Sequence, residues 1–242
     1  MQSKVPIMQS YRNQKSKAPY HVALIPDGNR RWARQHRLDF FHGYDLGVKK
    51  FIKFSIWAKN MGIKVLTVWA LSTENVRNRD NRELGVLYKI YIKAAKDKSI
   101  LKMLKDNDTR INIIGDLALI PASVRKALYS LQNKTKSFRS FTINLLIGYG
   151  GRDDLLHALE GVPRHAKRLG EDAIAKHLIT SKVPDVDLVI RTSGEMRLSG
   201  LLPWQTCYSE LYFAKKYWPD FGRSDLQSAV SEYGKRERRF GK

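Results

Sequence analysis

Short apolar runs alternate along this chain with longer segments in which apolar residues recur every three or four positions. The short runs are rich in β-branched and aromatic residues and have the length of buried strands. The longer segments have the spacing that places apolar side chains on one face of a helix. The predicted strands span residues 21–26, 64–71, 110–114, 141–147, 186–190 and 208–213, and the predicted helices span 43–61, 84–105, 122–131, 153–169, 172–179 and 224–233.

The order of these elements predicts the fold class. Strands that alternate with helices favour an α/β fold, here a mostly parallel six-stranded central sheet flanked by helices. No linker or internal repeat divides the chain, so we expect one domain over residues 20–242. Residues 1–19 carry four basic side chains and no acid, and we expect them to form a basic flexible arm.

Polar segments follow three of the predicted strands, at residues 27–31, 72–75 and 191–199. Because ligands of open α/β sheets bind beyond the carboxyl ends of the strands, we expect these segments to share one site. Segment 72–75 supplies small donors and acceptors that can orient a ligand. Taken alone, however, its sequence favours capping of the next helix.

The first segment contains groups suited to a diphosphate. Asp27 is a suitable Mg²⁺ ligand, and Gly28 permits an unusual backbone angle or close approach of a ligand. Arg30 and Arg31 can chelate phosphate oxygens. An Asp-Gly turn with two solvated arginines explains the same residues equally well.

The last segment is the most informative of the three. Arg191 ends a predicted strand, and Arg197 and Ser199 follow it, so that two guanidinium groups and a hydroxyl can cradle a diphosphate. The alternative is a surface loop of salt bridges in which Glu195 pairs with an arginine, and Glu195 can also serve the site by holding an arginine in place. Glu210, an acid inside a predicted strand, needs a partner or a metal if it is buried.

Charge is the outlying property of the composition. Among 242 residues, 44 are Lys or Arg and 23 are Asp or Glu, a formal net charge of +21. Such an excess favours nucleic acid, acidic lipid or phosphorylated small molecules as partners. The single cysteine, Cys207, excludes an internal disulfide, and no apolar run has the length of a membrane span, so we expect a cytoplasmic location.

Several common motifs are missing from the sequence, among them the P-loop, the Gly-x-Gly-x-x-Gly dinucleotide motif, Asp-Asp-x-x-Asp and zinc-type histidine spacing. The motifs that are present read Asp-Gly-Asn-Arg-Arg-Trp-Ala at 27–33, Asp-Leu-Val-Ile-Arg-Thr-Ser-Gly-Glu-Met-Arg-Leu-Ser at 187–199, Ser-Glu-Leu-Tyr-Phe at 209–213 and Trp-Pro-Asp-Phe at 218–221. With segments 66–75, 148–152 and 236–241, they resemble the cis-prenyltransferases, the polyprenyl diphosphate synthases. The Arg-Arg pair resembles the dolichol-type and archaeal branch of that family.

The resemblance implies both an activity and a shape. It implies Mg²⁺-dependent condensation of isopentenyl diphosphate with an allylic diphosphate primer, farnesyl or geranylgeranyl diphosphate. The product would be a polyprenyl diphosphate, the precursor of a glycosyl carrier lipid. A growing apolar chain needs a hydrophobic tunnel, and the candidate walls are the helices predicted at 43–61 (Phe51, Phe54, Trp57) and 84–105 (Tyr88, Tyr91). These aromatic residues are equally well explained as core.

The resemblance also assigns residues. Asp27 corresponds to the Mg²⁺-binding catalytic aspartate of the family, Asn75 to its catalytic asparagine and Glu210 to a second metal contact. It further implies a homodimer in which residues near the C-terminus of one subunit complete the site of the other. The positions implied to bind substrate are Gly28, Asn29, Arg30, Arg31, Trp32, Tyr44, Ser72, Thr73, Glu74, Arg77, Arg79, Arg191, Arg197 and Ser199.

The chain departs from the family pattern near the first helix. The usual Gly-His is Gly43-Tyr44 here, and the arginine that usually precedes it is Phe40. Tyr44 donates a hydrogen bond but carries no charge. Our hypothesis is that Arg30, which stands where many bacterial members have glycine, supplies the missing cation.

Two other classes of function compete with an active synthase. The net charge alone suits a non-enzymatic protein that binds nucleic acid or a membrane, and the resemblance alone allows an inactive partner subunit of a synthase. Intact Asp27, Arg31, Arg191 and Arg197 favour the enzyme. We therefore expect no nucleic-acid partner, with peripheral contact to an anionic membrane as an additional expectation.

Overall fold

The computed structural model describes residues 18–163 and 170–236. Six strands form one sheet in the order β3-β4-β2-β1-β5-β6, and every neighbouring pair is parallel. The predicted α/β fold is thus confirmed, and each predicted strand lies within two residues of an observed one. The strands are β1 His21–Ile25, β2 Val65–Ser72, β3 Thr109–Ile114, β4 Phe141–Tyr149, β5 Leu188–Arg191 and β6 Glu210–Phe213.

Helices connect the strands and cover both faces of the sheet. Two of them, α1 and α3, are short helices that begin within the polar segments 27–31 and 72–75. The helices are α1 Asn29–Gln35, α2 Phe40–Asn60, α3 Thr73–Asn78, α4 Asn81–Lys96, α5 Lys98–Asp106, α6 Ala122–Thr135, α7 Gly151–Gly161, α8 Glu171–His177 and α9 Arg223–Lys235.

Two predicted helices are broken or end well before their predicted last residue. The prediction of one continuous helix over 84–105 is wrong, because Asp97 adopts an extended conformation and its side chain accepts hydrogen bonds from Ser99 N and Ile100 N. Asp97 therefore caps a new helix, α5, after α4 has ended. Helix α7 ends at Gly161, just before Pro163, which disfavours helical backbone at the residue preceding it.

Some predicted regions fall outside the described residues. These are residues 1–17 of the predicted arm, the last residues of the predicted helix 153–169, and most of the motif 236–241. The arm and the domain boundary at residue 20 stay predictions.

Apolar side chains pack against the sheet from both sides. The larger core joins α2, α4, α5, α6 and α9 to one face, with Phe54, Leu66 and Trp218 among its fully buried members. The smaller core covers the other face around Tyr149 and Leu201. Both layers end at the polar edge where the strands finish, and that edge is left free to form a site.

A chain of buried polar groups crosses the sheet near its middle. The hydroxyl of Thr67 lies 2.7 Å from His21 Nε2, and Asn144 donates to the same hydroxyl at 3.0 Å. Asn112 donates to Asn144 Oδ1 at 2.9 Å, while His21 Nδ1 lies 2.9 Å from the Pro184 carbonyl. Every partner is satisfied when His21 is neutral, with Nδ1 as donor and Nε2 as acceptor.

Burial lowers the pKa of His21 from 6.5 to about 4, against the opposing effect of the Pro184 and Asp185 carbonyls. As the pH falls below 6.5, the unfolded chain gains a proton at this residue that the folded chain does not. The stabilisation is therefore complete above pH 6.5 and declines towards pH 4, by about 3 kcal/mol at most.

We predict that His21→Gln removes this part of the pH dependence of stability. The free energy of unfolding, measured by urea titration between pH 4 and 8, should fall more steeply below pH 6.5 in the wild type than in the variant. His157→Gln, at an exposed helical position, should keep the wild-type slope. Equal slopes for His21→Gln and the wild type would show that folding does not lower the pKa of His21.

Candidate active site

The polar segments that follow β1, β2 and β5 meet at one edge of the sheet. Strand register sets this arrangement, because Ile25 of β1 pairs with Arg191 of β5 and Asp27 follows two residues later. A cavity of about 900 Å³ opens among these segments and continues along one face of the sheet. The prediction that they share one site agrees with this geometry.

Asp27 and Arg191 form the central ion pair of this edge. Arg191 Nη2 lies 3.1 Å from Asp27 Oδ2, and its side chain is only 6% exposed, whereas that of Asp27 is 32% exposed. Arg191 Nη1 also donates to Ser199 Oγ at 2.9 Å and to the Arg197 carbonyl. The buried guanidinium thus fixes the loop 191–199 against the end of β1.

Glu195 joins two further arginines beside this pair. Its carboxylate accepts hydrogen bonds from Arg197 at 2.5 Å and from Arg31 at 2.9 Å, and these bonds lower the pKa of Glu195. Arg31 Nη2 also lies 3.4 Å from Asp27 Oδ1. The loop 191–199 therefore contains the salt bridges of the surface-loop alternative. It also faces the cavity, as a diphosphate cradle would require.

A second cluster surrounds Glu83, in the first turn of α4. Its carboxylate lies 3.1 Å from Arg30 and 3.1 Å from Arg79, and it accepts a hydrogen bond from the Tyr44 hydroxyl. Burial, opposed by the charge of Arg79 and reinforced by Glu83, raises the pKa of Tyr44. Tyr44 is therefore a protonated donor, and the same carboxylate holds both it and Arg30.

Gly28 is required by close packing at the start of α1. Its φ is +100°, and a Cβ there would lie 2.6 Å from Tyr217 Cδ1. The guanidinium carbon of Arg31 stands 5.7 Å from the centre of the same tyrosine ring. Tyr217 therefore shapes the loop that carries Asp27 and Arg31.

The segment after β2 begins a helix, as its sequence favours. Ser72 caps α3 by accepting from Asn75 N at 3.0 Å, and it accepts from Asn75 Nδ2 at 2.6 Å as well. Ser72, Glu74 and Asn75 all line the cavity. Capping and a place at the site are thus compatible in these residues.

The family of the chain can be established by comparison with known proteins. The prenyltransferase family model for undecaprenyl diphosphate synthases matches residues 25–241. The chain belongs to this family. It is an enzyme that transfers prenyl groups, and the resemblance to the cis-prenyltransferases is confirmed.

Two relatives illustrate the similarity in sequence. A tritrans,polycis-undecaprenyl-diphosphate synthase (geranylgeranyl-diphosphate specific) from Methanocaldococcus jannaschii is 39% identical over 237 residues, covering 94% of this chain and 84% of its own length. An isoprenyl transferase from Thermotoga maritima is 40% identical over 228 residues, covering 92% of this chain and 97% of its own.

A solved structure shows the same fold. The lavandulyl diphosphate synthase from Lavandula x intermedia, determined in complex with dimethylallyl diphosphate, superposes with a TM-score of 0.87 at 32% sequence identity. The match covers 93% of this chain and 99% of the other.

Three residues expected at the prenyltransferase site lie elsewhere in the structure. Trp32 donates to Asp220 at 2.8 Å and stacks on His36, and Arg77 faces Asp153 at 3.8 Å. Neither lines the cavity. Glu210 pairs with Arg236 at the amino end of β6, level with Leu188 rather than with Arg191, so it is not near Asp27 within this chain.

Thr73 and Asn29 occupy intermediate places. Thr73 is buried with its hydroxyl beside Gly150, outside the cavity lining. Asn29 lines the cavity, but its Nδ2 donates to the Pro26 carbonyl at 3.0 Å and so supports the loop. The expected residues that line the cavity are Asp27, Gly28, Asn29, Arg30, Arg31, Tyr44, Ser72, Glu74, Asn75, Arg79, Arg191, Arg197 and Ser199.

The deeper part of the cavity is apolar. Phe51 and Tyr91 line it, as expected of tunnel walls, whereas Phe54 packs against Trp218 in the core, and Trp57 and Tyr88 lie outside the lining. Many of the other apolar side chains in the lining come from α4, α5, α6, β3 and β4, namely Leu87, Ala94, Ala95, Ile100, Met103, Leu104, Ile111, Leu128, Leu131, Ile143, Leu145 and Ile147.

Two observations concern metals and membranes. Within residues 18–163 and 170–236, no group of three or more His, Cys, Asp or Glu side chains is arranged to hold a metal ion. In the same part of the chain, no helix is both long enough and apolar enough to cross a membrane.

Three residues of the site were not predicted from the sequence: Arg34, which lines the cavity, and Glu83 and Tyr217, which contact side chains that line it. Arg34 lies one helical turn after Arg30 and lines the cavity, so helical spacing could have suggested it. The sequence holds no comparable signal for Glu83 or Tyr217, whose partners come from distant segments.

We predict that Glu83→Ala destabilises the fold by about 2 kcal/mol, because it leaves two guanidinium groups and the Tyr44 hydroxyl without their shared partner. Urea denaturation at pH 7 measures this loss. Glu74→Ala removes the same charge from an exposed site at the same cavity and should cost less than about 0.5 kcal/mol. Similar values for the two variants would contradict an anchoring role for Glu83.

Proposed function

We propose that this prenyltransferase elongates a cis-polyprenyl chain by condensing isopentenyl diphosphate with an allylic diphosphate primer. The observation that supports this most strongly is the two-part cavity, with arginines at its mouth and apolar side chains along its interior. A diphosphate suits the first part and a hydrocarbon chain suits the second. A cavity near the upper end of the usual range for ligand sites suits a long substrate.

The two arginine clusters suit two diphosphates. Glu195 holds Arg31 with Arg197, and Glu83 holds Arg30 with Arg79, so each pair of guanidinium groups already surrounds an anion. A bound diphosphate offers more negative charge than a carboxylate and forms charge-assisted hydrogen bonds with the same donors. Two diphosphates held side by side orient the reacting carbons, which contributes much of the rate in such reactions.

The residues present fit Mg²⁺ at the mouth of the cavity. Mg²⁺ is usually bound by one or two carboxylates together with substrate phosphates and water, and Asp27 is a partly exposed carboxylate among phosphate-binding groups. When bound, the ion would stabilise negative charge on the departing diphosphate. Within one chain Glu210 lies away from Asp27, so it would join such a site only if it came from the second subunit of the proposed homodimer.

The roles proposed for the other residues come from the resemblance to the family and are supported by their places at the mouth of the cavity. Arg30, Tyr44 and Arg79 hold the allylic diphosphate while its carbon–oxygen bond breaks, together with Arg31, which Glu195 places between the two diphosphates. Arg191, Arg197 and Ser199 hold isopentenyl diphosphate, whose alkene forms the new carbon–carbon bond as the allylic diphosphate leaves. The proton that is then lost passes to a diphosphate oxygen.

Asn75 has a different role. Its Nδ2 is engaged by Ser72, and a neutral amide is a weak base. We therefore propose that Asn75 orients the substrate rather than accepting the proton.

The names of relatives guide the choice of substrate and product. Several archaeal relatives are named as specific for geranylgeranyl diphosphate, which favours that primer over farnesyl diphosphate. The product would be a polyprenyl diphosphate that serves as the precursor of a glycosyl carrier lipid. The same proposal includes a homodimer and a place in the dolichol-type and archaeal branch of the family. It also includes contact with an anionic membrane.

Asp27→Ala and Asp27→Asn should each lower the rate of prenyl transfer by at least about a hundredfold, because both remove the carboxylate that organises the diphosphate site. The assay follows labelled isopentenyl diphosphate into extractable lipid with Mg²⁺ and geranylgeranyl diphosphate. Asp172→Ala, an exposed substitution on α8, should leave the rate unchanged. Full activity in a folded Asp27→Asn protein would overturn the proposal.

Ala95→Leu should shorten the product, because Ala95 is buried and its side chain lines the apolar part of the cavity. The added volume costs about 1–3 kcal/mol of stability in a packed site and less where a cavity accommodates it. Chain lengths are compared by chromatography of the dephosphorylated lipids. Ala122→Leu, at an exposed position on α6, is the control, and identical product lengths for all three proteins would place the growing chain elsewhere.

A further inference from the structure

Helices α4 and α5 have two contrasting faces. Their inner faces line the cavity with residues such as Leu87, Ala94, Ile100 and Met103. Their outer faces carry exposed lysines at positions three or four residues apart, which places the lysines of each helix on one side of it. These lysines are Lys89, Lys93 and Lys96 on α4 and Lys98, Lys102 and Lys105 on α5.

Few acids offset this charge. Residues 89–106 contain six lysines and two acids, a net charge of +4. Asp97 accepts backbone hydrogen bonds at the start of α5, and Asp106 pairs with Lys102 at 2.7 Å. Lys93 lies 3.8 Å from Asp45 of α2. Within the described residues, the other four lysines of this face form no ion pair.

The chemistry of the face differs from that of the cavity mouth. The mouth uses arginines, which chelate phosphate oxygens with a fixed fork, whereas this face uses lysines alone, which act as hydrated point charges on flexible stems. Clusters of four to eight basic residues attract anionic lipid headgroups in this way. No large apolar side chain between residues 89 and 106 is exposed, so the face lacks the aromatic platforms used for single-stranded nucleic acid.

We propose that the outer lysine face of α4 and α5 docks the enzyme on a membrane surface that contains anionic lipids. The proposal rests on the proposed function in one respect: the apolar product grows directly behind these two helices and has to reach a bilayer. Docking through them brings the wall of the cavity to the surface of that bilayer. The attraction is electrostatic, so it weakens as salt shortens the Debye length.

The test measures binding to vesicles. The full chain is sedimented with vesicles of phosphatidylcholine alone or with 30% phosphatidylglycerol, at low and at high salt. The variant replaces Lys89, Lys96, Lys98 and Lys105 with Gln. The matched control replaces four exposed lysines from other parts of the surface, Lys176, Lys182, Lys215 and Lys235, with Gln and so makes the same change in net charge.

The wild type should bind the anionic vesicles and not the neutral ones. Each lysine near the surface contributes about fivefold in affinity, so the α4–α5 variant should bind at least about fiftyfold more weakly, and the control variant much less so. Equal losses in both variants, wild-type binding by the α4–α5 variant, or tighter binding to a DNA duplex than to anionic vesicles at the same salt would each overturn the proposal.

A transfer assay in detergent separates this proposal from the proposed function. None of the substituted lysines lines the cavity, so the α4–α5 variant should elongate the primer at the wild-type rate. Lysine-dependent vesicle binding by a protein that makes no polyprenyl product would refute the proposed function and leave the docking surface in place. If the wild type elongates the primer normally but does not bind anionic vesicles, the docking proposal is refuted and the proposed function stands.

Discussion

The pairing of carboxylates with guanidinium groups at the carboxyl edge of the sheet organises the site. Asp27 follows β1, Arg191 ends the neighbouring parallel strand β5, and the register of the two strands brings Arg191 Nη2 to 3.1 Å from Asp27 Oδ2. A buried guanidinium group needs a paired charge to be stable. Asp27, Ser199 and the Arg197 carbonyl all contact Arg191, and through these contacts the loop 191–199 acquires one conformation.

The same constraint explains the two glutamates at the mouth. Six arginines line the cavity and repel one another, and the repulsion is strong where water is partly excluded. Glu195 and Glu83 each stand between two of them and hold the guanidinium groups at separations set by one carboxylate. The mouth is thus assembled before an anion arrives, which reduces the ordering that binding requires. Arg30 and Tyr44 both contact Glu83. This geometry agrees with the hypothesis that Arg30 supplies the positive charge that is missing at the start of α2, where Tyr44 and Phe40 replace basic residues of the family pattern.

Sequence alone located the strands and the segments that follow them, because short β-branched runs and polar strand ends are local signals. The motif around Arg191 could be recognised from its own residues. Glu83 could not, since nothing within α4 shows that its acid meets side chains from α1 and α2. The break between α4 and α5 is a related case. The helical spacing of apolar residues continues through Asp97, and only the capping hydrogen bonds of its side chain favour the start of a new helix there. Trp32 and Glu210 stand in matching motifs, yet tertiary packing gives both of them partners away from the cavity.

The cavity itself imposes a cost on the helices that surround it. A helix gains most of its stability by packing an apolar face, and the inner faces of α4 and α5 meet partly empty space instead. An occupant with an apolar chain fills that space and supplies the missing contacts, so these helices should be more stable with substrate than without it. The caps at Asp80 and Asp97 and the ion pairs of Glu83 act at helix ends, where they stabilise α4 and α5 without occupying the cavity. Polar interactions at the ends of the helices thus compensate for the apolar contacts that an open cavity removes from their middle.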